Sequence, residues 1–402
     1  MRRGTWLAIG LVILLVPTLL HMYLLNPFPG SQTLDSIVWA YYLAKILRLT
    51  QIVGGLIAGL AVVAIVRGRR TRWTLAWVVA LLLVSSGLVC APKLVGAASF
   101  FTMPKRVQFA KGASRELPAA TLVMGIAHNG EVKAYPLRLL AFHHQVEDTL
   151  GGQPVLVTYC TMCRTGRVFS RRIGERALSF ELIGAVKYNA VFADRATGTW
   201  WYQANGRAVV GPLTGARLTE LPAENMMLGQ WLKLHPESEV LQPDPASADG
   251  YKAYDFDKYD AVRPKPHPSP DRDWLIVVTA GGSSRAYPWS LLKDKRCLAD
   301  ALGSMPVALL MDDDGYSVRA FDRRIGERTL DLRCEQQESV LIDDASGARF
   351  GFDGVARDGA LGGATLNVLP ASLELRRAFE AFSGTQSFTP PSSPPTPTSP
   401  RS

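Results

Sequence analysis

Two cysteines three residues apart, Cys160 and Cys163 in 155-VLVTYCTMCRTGRVF-169, are the residues of this chain best suited to chemistry. A C-x-x-C pair can be a redox dithiol, part of a metal site or a structural disulfide, and the spacing alone does not choose among them. In the redox case one thiolate attacks a disulfide and the second thiol resolves the mixed disulfide. Cys160, at the end of an apolar run, is the expected attacking thiol and Cys163 the resolving one. Arg164 and Arg167 stand next to the pair and would favour thiolate, which suits redox chemistry and metal binding alike.

The metal alternative takes its further donor from His143, His144 or His235. Two thiolates and one imidazole, with His143 the expected third ligand, suit copper(I) or an open zinc site. A zinc ribbon would need a second cysteine pair, which the chain lacks. The redox reading calls for no cofactor, and His143 is its expected proton acceptor. The third alternative is a non-enzymatic interaction domain with the two cysteines locked as a disulfide.

The pair must be held by strands. Residues 154–159 are β-branched and aromatic, and a second strand begins near Gly166 or Arg167, so the cysteines occupy a strand–turn–strand. This differs from a C-x-x-C that opens a helix. RRIGER at 171–176 reads as a hairpin turning at Ile173-Gly174, and short helices are expected at 137–142 and 289–293, each after an Ala-Tyr-Pro. Trp200, Trp201 and Tyr202 read first as a buried aromatic strand and second as a pocket wall.

RRIGER recurs at 323–328, an offset of 152 that also carries 134-AYPLRLL-140 onto 286-AYPWSLL-292. At slightly smaller offsets, 193-ADRATG-198 faces 342-IDDASG-347 and 215-GARLTELPA-223 faces 363-GATLNVLPA-371. The period is too long for a solenoid. The expected organisation is a first unit at 104–245, a linker at 246–264, a second unit at 265–383 and an unstructured Pro/Ser/Thr-rich tail at 384–402. The fold class is β-rich α+β. The offset sets Asp312 against Cys160 and Gly315 against Cys163, so the second unit would be built without the thiols. Cys297 and Cys334 lie in that second unit and would pair in an oxidising space. Cys90 sits in an apolar run and needs no further explanation.

Three apolar runs, 6–25, 50–66 and 74–95, approach the ~20 residues that span a bilayer and make residues 1–100 a membrane domain. Arg2, Arg3 and the arginines at 67, 69, 70 and 72 would lie on the cytoplasmic side of an inner membrane, which sends everything after about residue 97 to the extracytoplasmic or periplasmic side. The net charge is +9, but residues 1–106 hold 11 Lys+Arg and one acid, Asp35; removing these from the totals of 44 and 35 leaves 33 bases against 34 acids. The soluble part is nearly neutral, and nothing in it suits nucleic acid.

The first unit resembles the bacterial family catalogued as domain of unknown function 3179. The match runs through AYPLRLLAFHHQVEDTLGGQPVLVTYCTMCRTGRVFSRR, YNAVFADRATGTWWYQANGRAVVGPLTGARL and HPESEVL, about residues 120–245; the second unit resembles it weakly. The family usually reads Trp-His-Glu where this chain has Phe142-His143-His144, and Cys-Pro-Leu-Cys where it has Cys160-Thr161-Met162-Cys163. The resemblance therefore carries over His143, Cys160 and Cys163 but neither the glutamate nor the proline. Some members are described as selenoproteins at the cysteine motif, which implies redox chemistry there. The family has no assigned activity. The expectation is a membrane-anchored protein with a thiol–disulfide or related redox role, the bilayer and an unknown redox protein being its partners.

Overall fold

In the computed structural model, residues 3–68, 71–111, 117–254, 264, 268–280, 283–335 and 338–383 are described. The expected unstructured tail and much of the expected linker lie outside them. The chain is α+β and β-rich, headed by three helices: α1 (Arg3–Leu25), α2 (Ile37–Gly68) and α3 (Arg72–Val95). α1 and α2 are long and apolar enough to cross a membrane, whereas the apolar part of α3, Ala76–Cys90, is shorter. The second apolar run is one continuous helix beginning at Ile37, because no Gly or Pro interrupts residues 37–47.

α1 and α2 pack through small residues. A Cβ on Gly10 would stand 2.5 Å from the Ala58 nitrogen, and one on Gly54 would stand 2.6 Å from the Leu14 nitrogen. Gly at both places lets the two backbones approach, and the Gln51 amide donates across the same interface to Thr18 Oγ1 at 3.1 Å.

The remainder is antiparallel sheet with short helices. One five-stranded sheet runs Phe109–Lys111, Glu239–Leu241, Glu131–Pro136, Leu122–His128, Glu224–Met227; Glu239–Leu241 and Glu131–Pro136 are parallel. A second sheet, Glu220–Leu221, Thr165–Ser170, Gln153–Cys160, Gln145–Leu150, carries the cysteine pair at one end of its central hairpin. A third, Ala208–Val210, Trp200–Tyr202, Asn189–Asp194, Phe180–Val186, lies against the helices.

The element order of the first sheets recurs later. Strands Leu122–His128 and Glu131–Pro136, the helix Leu137–His143 and strands Gln145–Leu150 and Gln153–Cys160 are followed by Trp274–Ala280, Ser283–Pro288, Trp289–Lys295, Cys297–Leu302 and Met305–Met311 in the same order. Polar contacts recur with them. Tyr135 OH donates to Asp148 at 2.7 Å beside Lys133, and Tyr287 OH donates to Asp300 at 2.9 Å beside Arg285. RRIGER forms a two-residue hairpin in both places, with Ile173 paired to Arg176 and Ile325 to Arg328. The turn is centred one residue later than the sequence suggested, on Gly174-Glu175, because Gly174 at φ +57° takes the first turn position.

The two stretches do not close separate cores. Met124, Tyr135 and Val157 share one buried apolar cluster with Ile276, Tyr287 and Leu309. Arg319 binds Glu224 across the junction at 2.6 and 3.2 Å. Cys297 and Cys334 are disulfide-bonded, with Cα atoms 5.6 Å apart, inside the second stretch.

The helices are fastened to the third sheet. Leu24, Leu25, Ile37 and Tyr41 pack with Val186, Val191, Trp200 and Tyr202 in one apolar cluster. In the connection between α1 and α2, the Gln32 amide donates to Ala185 O at 3.1 Å and accepts from the Tyr188 N–H at 3.1 Å. Gly184 passes so close to the end of α1 that a Cβ there would stand 2.5 Å from Leu25 O.

Candidate functional site

Cys160 ends the strand Gln153–Cys160, and the chain turns back through Thr161, Met162 and Cys163 to enter Thr165–Ser170. The turn closes by the Arg164 N–H donating to Cys160 O at 2.8 Å, and Arg164 takes φ +60° to do so. Both cysteines are free thiols and both are buried. Their surroundings differ. Cys160 lines a cavity of about 340 Å³, whereas Cys163 lies behind it and is not part of the lining.

The acid–base character of the two sulfurs diverges accordingly. Burial alone would raise the Cys160 pKa, but a hydrogen bond from the Cys163 thiol and the backbone amides of Cys163, Met162 and Ala190 outweigh it and hold this thiol below its ordinary value. The Cys163 N–H stands 3.5 Å from Cys160 Sγ. Cys163 is pushed well above the ordinary thiol range, first by burial, then by the hydrogen bond and charge of Cys160 and by the charge of Glu374. Around Cys163, the Asn189 amide donates to Sγ at 3.2 Å and to Gln203 Oε1 at 2.8 Å. Gln203 in turn donates to Thr158 Oγ1 and Thr165 O, both at 3.1 Å. This network fixes one sulfur while the other lines a cavity. The arrangement can present a thiolate and keep a thiol in reserve.

Of the two arginines beside the motif, Arg167 is engaged first by carboxylates. Arg167 is buried and held by Glu220 at 2.9 Å and Glu374 at 3.2 Å. These carboxylates, with a smaller contribution from the charge of Cys163, keep its guanidinium charged despite burial. Backbone N–H groups help to lower the Cys160 pKa, two of them from the C-x-x-C turn and one from the strand Asn189–Asp194.

His143 is buried at the end of its helix, with Nδ1 2.6 Å from Thr102 O and Nε2 2.6 Å from Tyr251 OH. Both ring nitrogens are occupied by partners away from the cysteines, and His143 does not line the cavity. Its neighbour does. His144 turns to φ +64° at the helix end, stacks on Phe101 with ring centroids 3.6 Å apart, and sets Nε2 3.1 Å from Thr161 Oγ1. Burial pushes His144 down to about 3, so it is neutral near pH 7. The resemblance pointed to His143, and nothing in the pattern marked His144 as the one facing Cys160's cavity. Among the described residues no group of three or more His, Cys, Asp or Glu side chains is placed to hold a metal ion. The donor set Cys160, Cys163 and His143 for copper or zinc is therefore not brought together among the described residues.

Trp200, Trp201 and Tyr202 form a buried strand, as first read. Trp201 points into the cluster that includes both cysteines, with its indole N–H on Asp194 at 3.0 Å. Trp200 and Tyr202 face the opposite side, toward α1 and α2.

One contact set had no local signal. The last strand, Ala371–Leu375, and the helix Arg376–Ser383 come from the far end of the chain and lie on the cysteine turn. The Leu375 N–H donates to Cys163 O at 2.9 Å, Arg377 donates to Met162 O at 3.3 Å, and Ala378 joins the cysteines' apolar cluster.

No curated protein and no solved structure matches the chain. The sequence model of one protein family matches residues 102–386, a stretch that includes the second unit as well as the first. That range agrees with the shared core: the family domain is both stretches together. The chain belongs to the family described as "Protein of unknown function (DUF3179)".

Proposed function

We propose that this protein is a membrane-anchored, extracytoplasmic thiol redox protein in which Cys160 is the attacking thiol and Cys163 the resolving thiol. The asymmetry of the pair carries the reading: Cys160 lines a cavity and has its pKa held down, while the buried Cys163 behind it has its pKa held up. His144, neutral and bonded to Thr161, serves as a wall of that cavity rather than as a base. The recurring element order supports descent of the two stretches from one ancestral unit, of which the second keeps the scaffold and contributes the strand that holds the cysteine turn.

The anchor is read as three spans, α3 being the third. The end of α1, the start of α2 and the residues that follow α3 all pack on the same strands, which supports an odd number of crossings between Arg3 and those strands. Trp39 near one end of α2, and Trp73 and Trp77 near the start of α3, are strongly exposed, as interfacial aromatics would be. The Cys297–Cys334 disulfide supports an oxidising compartment.

The experiment is a trapping pair. Cys163→Ser should accumulate mixed disulfides with partner thiols on non-reducing gels, and Cys160→Ser should not. Equal behaviour of the two variants would overturn the assignment of roles.

A further inference from the structure

The cavity that Cys160 lines lies where α1 ends and just beyond α3. Leu25 at the end of α1 and Pro27 just after it, Phe100 and Phe101 from the residues after α3, and Leu182 and Ala190 from the third sheet line it together with the cysteine. No Asp, Glu, Lys or Arg is among its lining residues, and its surface is mostly apolar. A soluble charged thiol compound, with carboxylates and an ammonium group to satisfy, would find no ion pair there. The polar side chains of the lining are Asn26, whose amide donates to Met22 O, the neutral His144 ring stacked on Phe101, and the Thr161 hydroxyl. A volume of about 340 Å³ admits a substituted ring and the first part of an apolar tail.

We propose that the oxidant of the cysteine pair is a membrane-soluble quinone, whose ring enters this cavity beside Cys160 while its tail stays among the ends of the helices. The proposal rests on the redox reading above and names the substrate class of the same site. A quinone fits on three counts: it is neutral, it is flat and apolar with carbonyl oxygens for Thr161 or His144 to meet, and it dissolves in a bilayer of the kind that α1, whose last residue Leu25 lines the cavity, is long enough to cross. The reaction balances. Cys160 thiolate, Cys163 thiol, quinone and one proton from solvent give the Cys160–Cys163 disulfide and hydroquinone. One S–S bond forms, and two electrons pass to the ring. Its two oxygens take the proton from Cys163 and the proton from solvent.

The test uses the full chain in lipid nanodiscs, with Cys90→Ala removing the exposed thiol on α3, reduced under conditions that leave Cys297–Cys334 intact. Mixed with a short-tailed ubiquinone, the protein should reduce about one quinone per chain, read from the quinone absorbance, and lose two titratable thiols. Cys160→Ser should lose this reaction. Ala97→Phe, which fills the cavity wall, should slow it at least tenfold. The same variant should keep the wild-type melting transition and the Cys297–Cys334 disulfide, which shows that it is folded. Wild-type protein that is oxidised by diamide, a small water-soluble thiol oxidant, to the Cys160–Cys163 disulfide but reduces no quinone would overturn the quinone proposal and leave the redox reading standing. A pair that neither oxidant converts to a disulfide would overturn both. Unchanged quinone reduction in Ala97→Phe would overturn the cavity as its site.

Discussion

The backbone N–H of Leu375 donates to Cys163 O at 2.9 Å. Two residues more than 200 positions apart in sequence thus meet at the turn that carries the thiols, with Arg377 donating to Met162 O beside them. The last strand of the second stretch has a job in the first, which gives a physical reason for one family domain to include both.

Arg377 is the side chain by which that contact can be loosened. Arg377→Ala removes the bond to Met162 O and the guanidinium over the Tyr188 ring, 5.0 Å from its centroid. A loss of about 1–2 kcal/mol in urea unfolding is expected, with Cys160 alkylated several-fold faster by iodoacetamide under native conditions. An alkylation rate equal to wild type would mean that the clamp does not control access to the turn.

The disulfide in the second stretch should stabilise the whole domain, because the core is shared. Cys297 and Cys334 enclose a separation of 37 residues, for which loop closure gives about 2–4 kcal/mol. Cys297→Ala with Cys334→Ala should lower the melting temperature of the first and second stretches together in one transition. Two separate transitions, only one of them shifted, would contradict the shared core.

Turn chemistry made part of this fold legible. Gly174 and Gly326 marked the RRIGER hairpins, and the Pro after each Ala-Tyr marked the helices that start at Leu137 and Trp289. The cysteine turn between two strands was readable too, because β-branched residues precede it. What the local sequence does not encode is long-range. The Ala190 amide reaches Cys160 from a strand that starts 29 residues later. The choice of His144 over His143 depends on one backbone flip at the helix end. Nor does the local sequence show that Arg167, beside the cysteines, is paired with Glu220 and with Glu374, a residue from the chain's far end.

The proposed membrane orientation rests on which residues share a side. Lys187 pairs with Asp35 at 2.8 Å, and Gln32 bonds to Ala185 and Tyr188. The connection between α1 and α2 therefore sits with the strands, opposite Arg3 and Arg67. Alkaline phosphatase fused after residue 110 should be active, and fused between α2 and α3 it should be inactive. The reverse pattern would put the thiols in the cytoplasm.

The divergent thiols set a pH profile. Cys160 is held below its ordinary value, so its alkylation rate should reach half-maximum at a lower pH than that of a free peptide cysteine. Cys163, held well above, should stay unmodified through the same range. Mass spectrometry of single-hit adducts reads both at once. Preferential labelling of Cys163 near neutral pH would invert the proposed roles.

His144 should shape the acid limb of stability. Its folded-state pKa, pushed down by burial to about 3, lies below the ordinary value of 6.5. Above pH 6.5 the ring is neutral in both states and contributes no pH dependence. Below it the unfolded chain takes up a proton that the folded chain refuses, so stability falls as pH falls, by about 1.4 kcal/mol per unit down to the folded value. Between pH 6.5 and 5 this amounts to about 2 kcal/mol. Burial also lowers His143 and His235, which add to the same limb. His144→Asn, chosen because Asn tolerates the left-handed backbone at this position, should remove only the His144 share and leave a shallower slope in urea unfolding between pH 7 and 5. A slope identical to wild type would mean that His144 is reached by water in the folded protein, and it would remove the dry wall on which the cavity beside Cys160 depends.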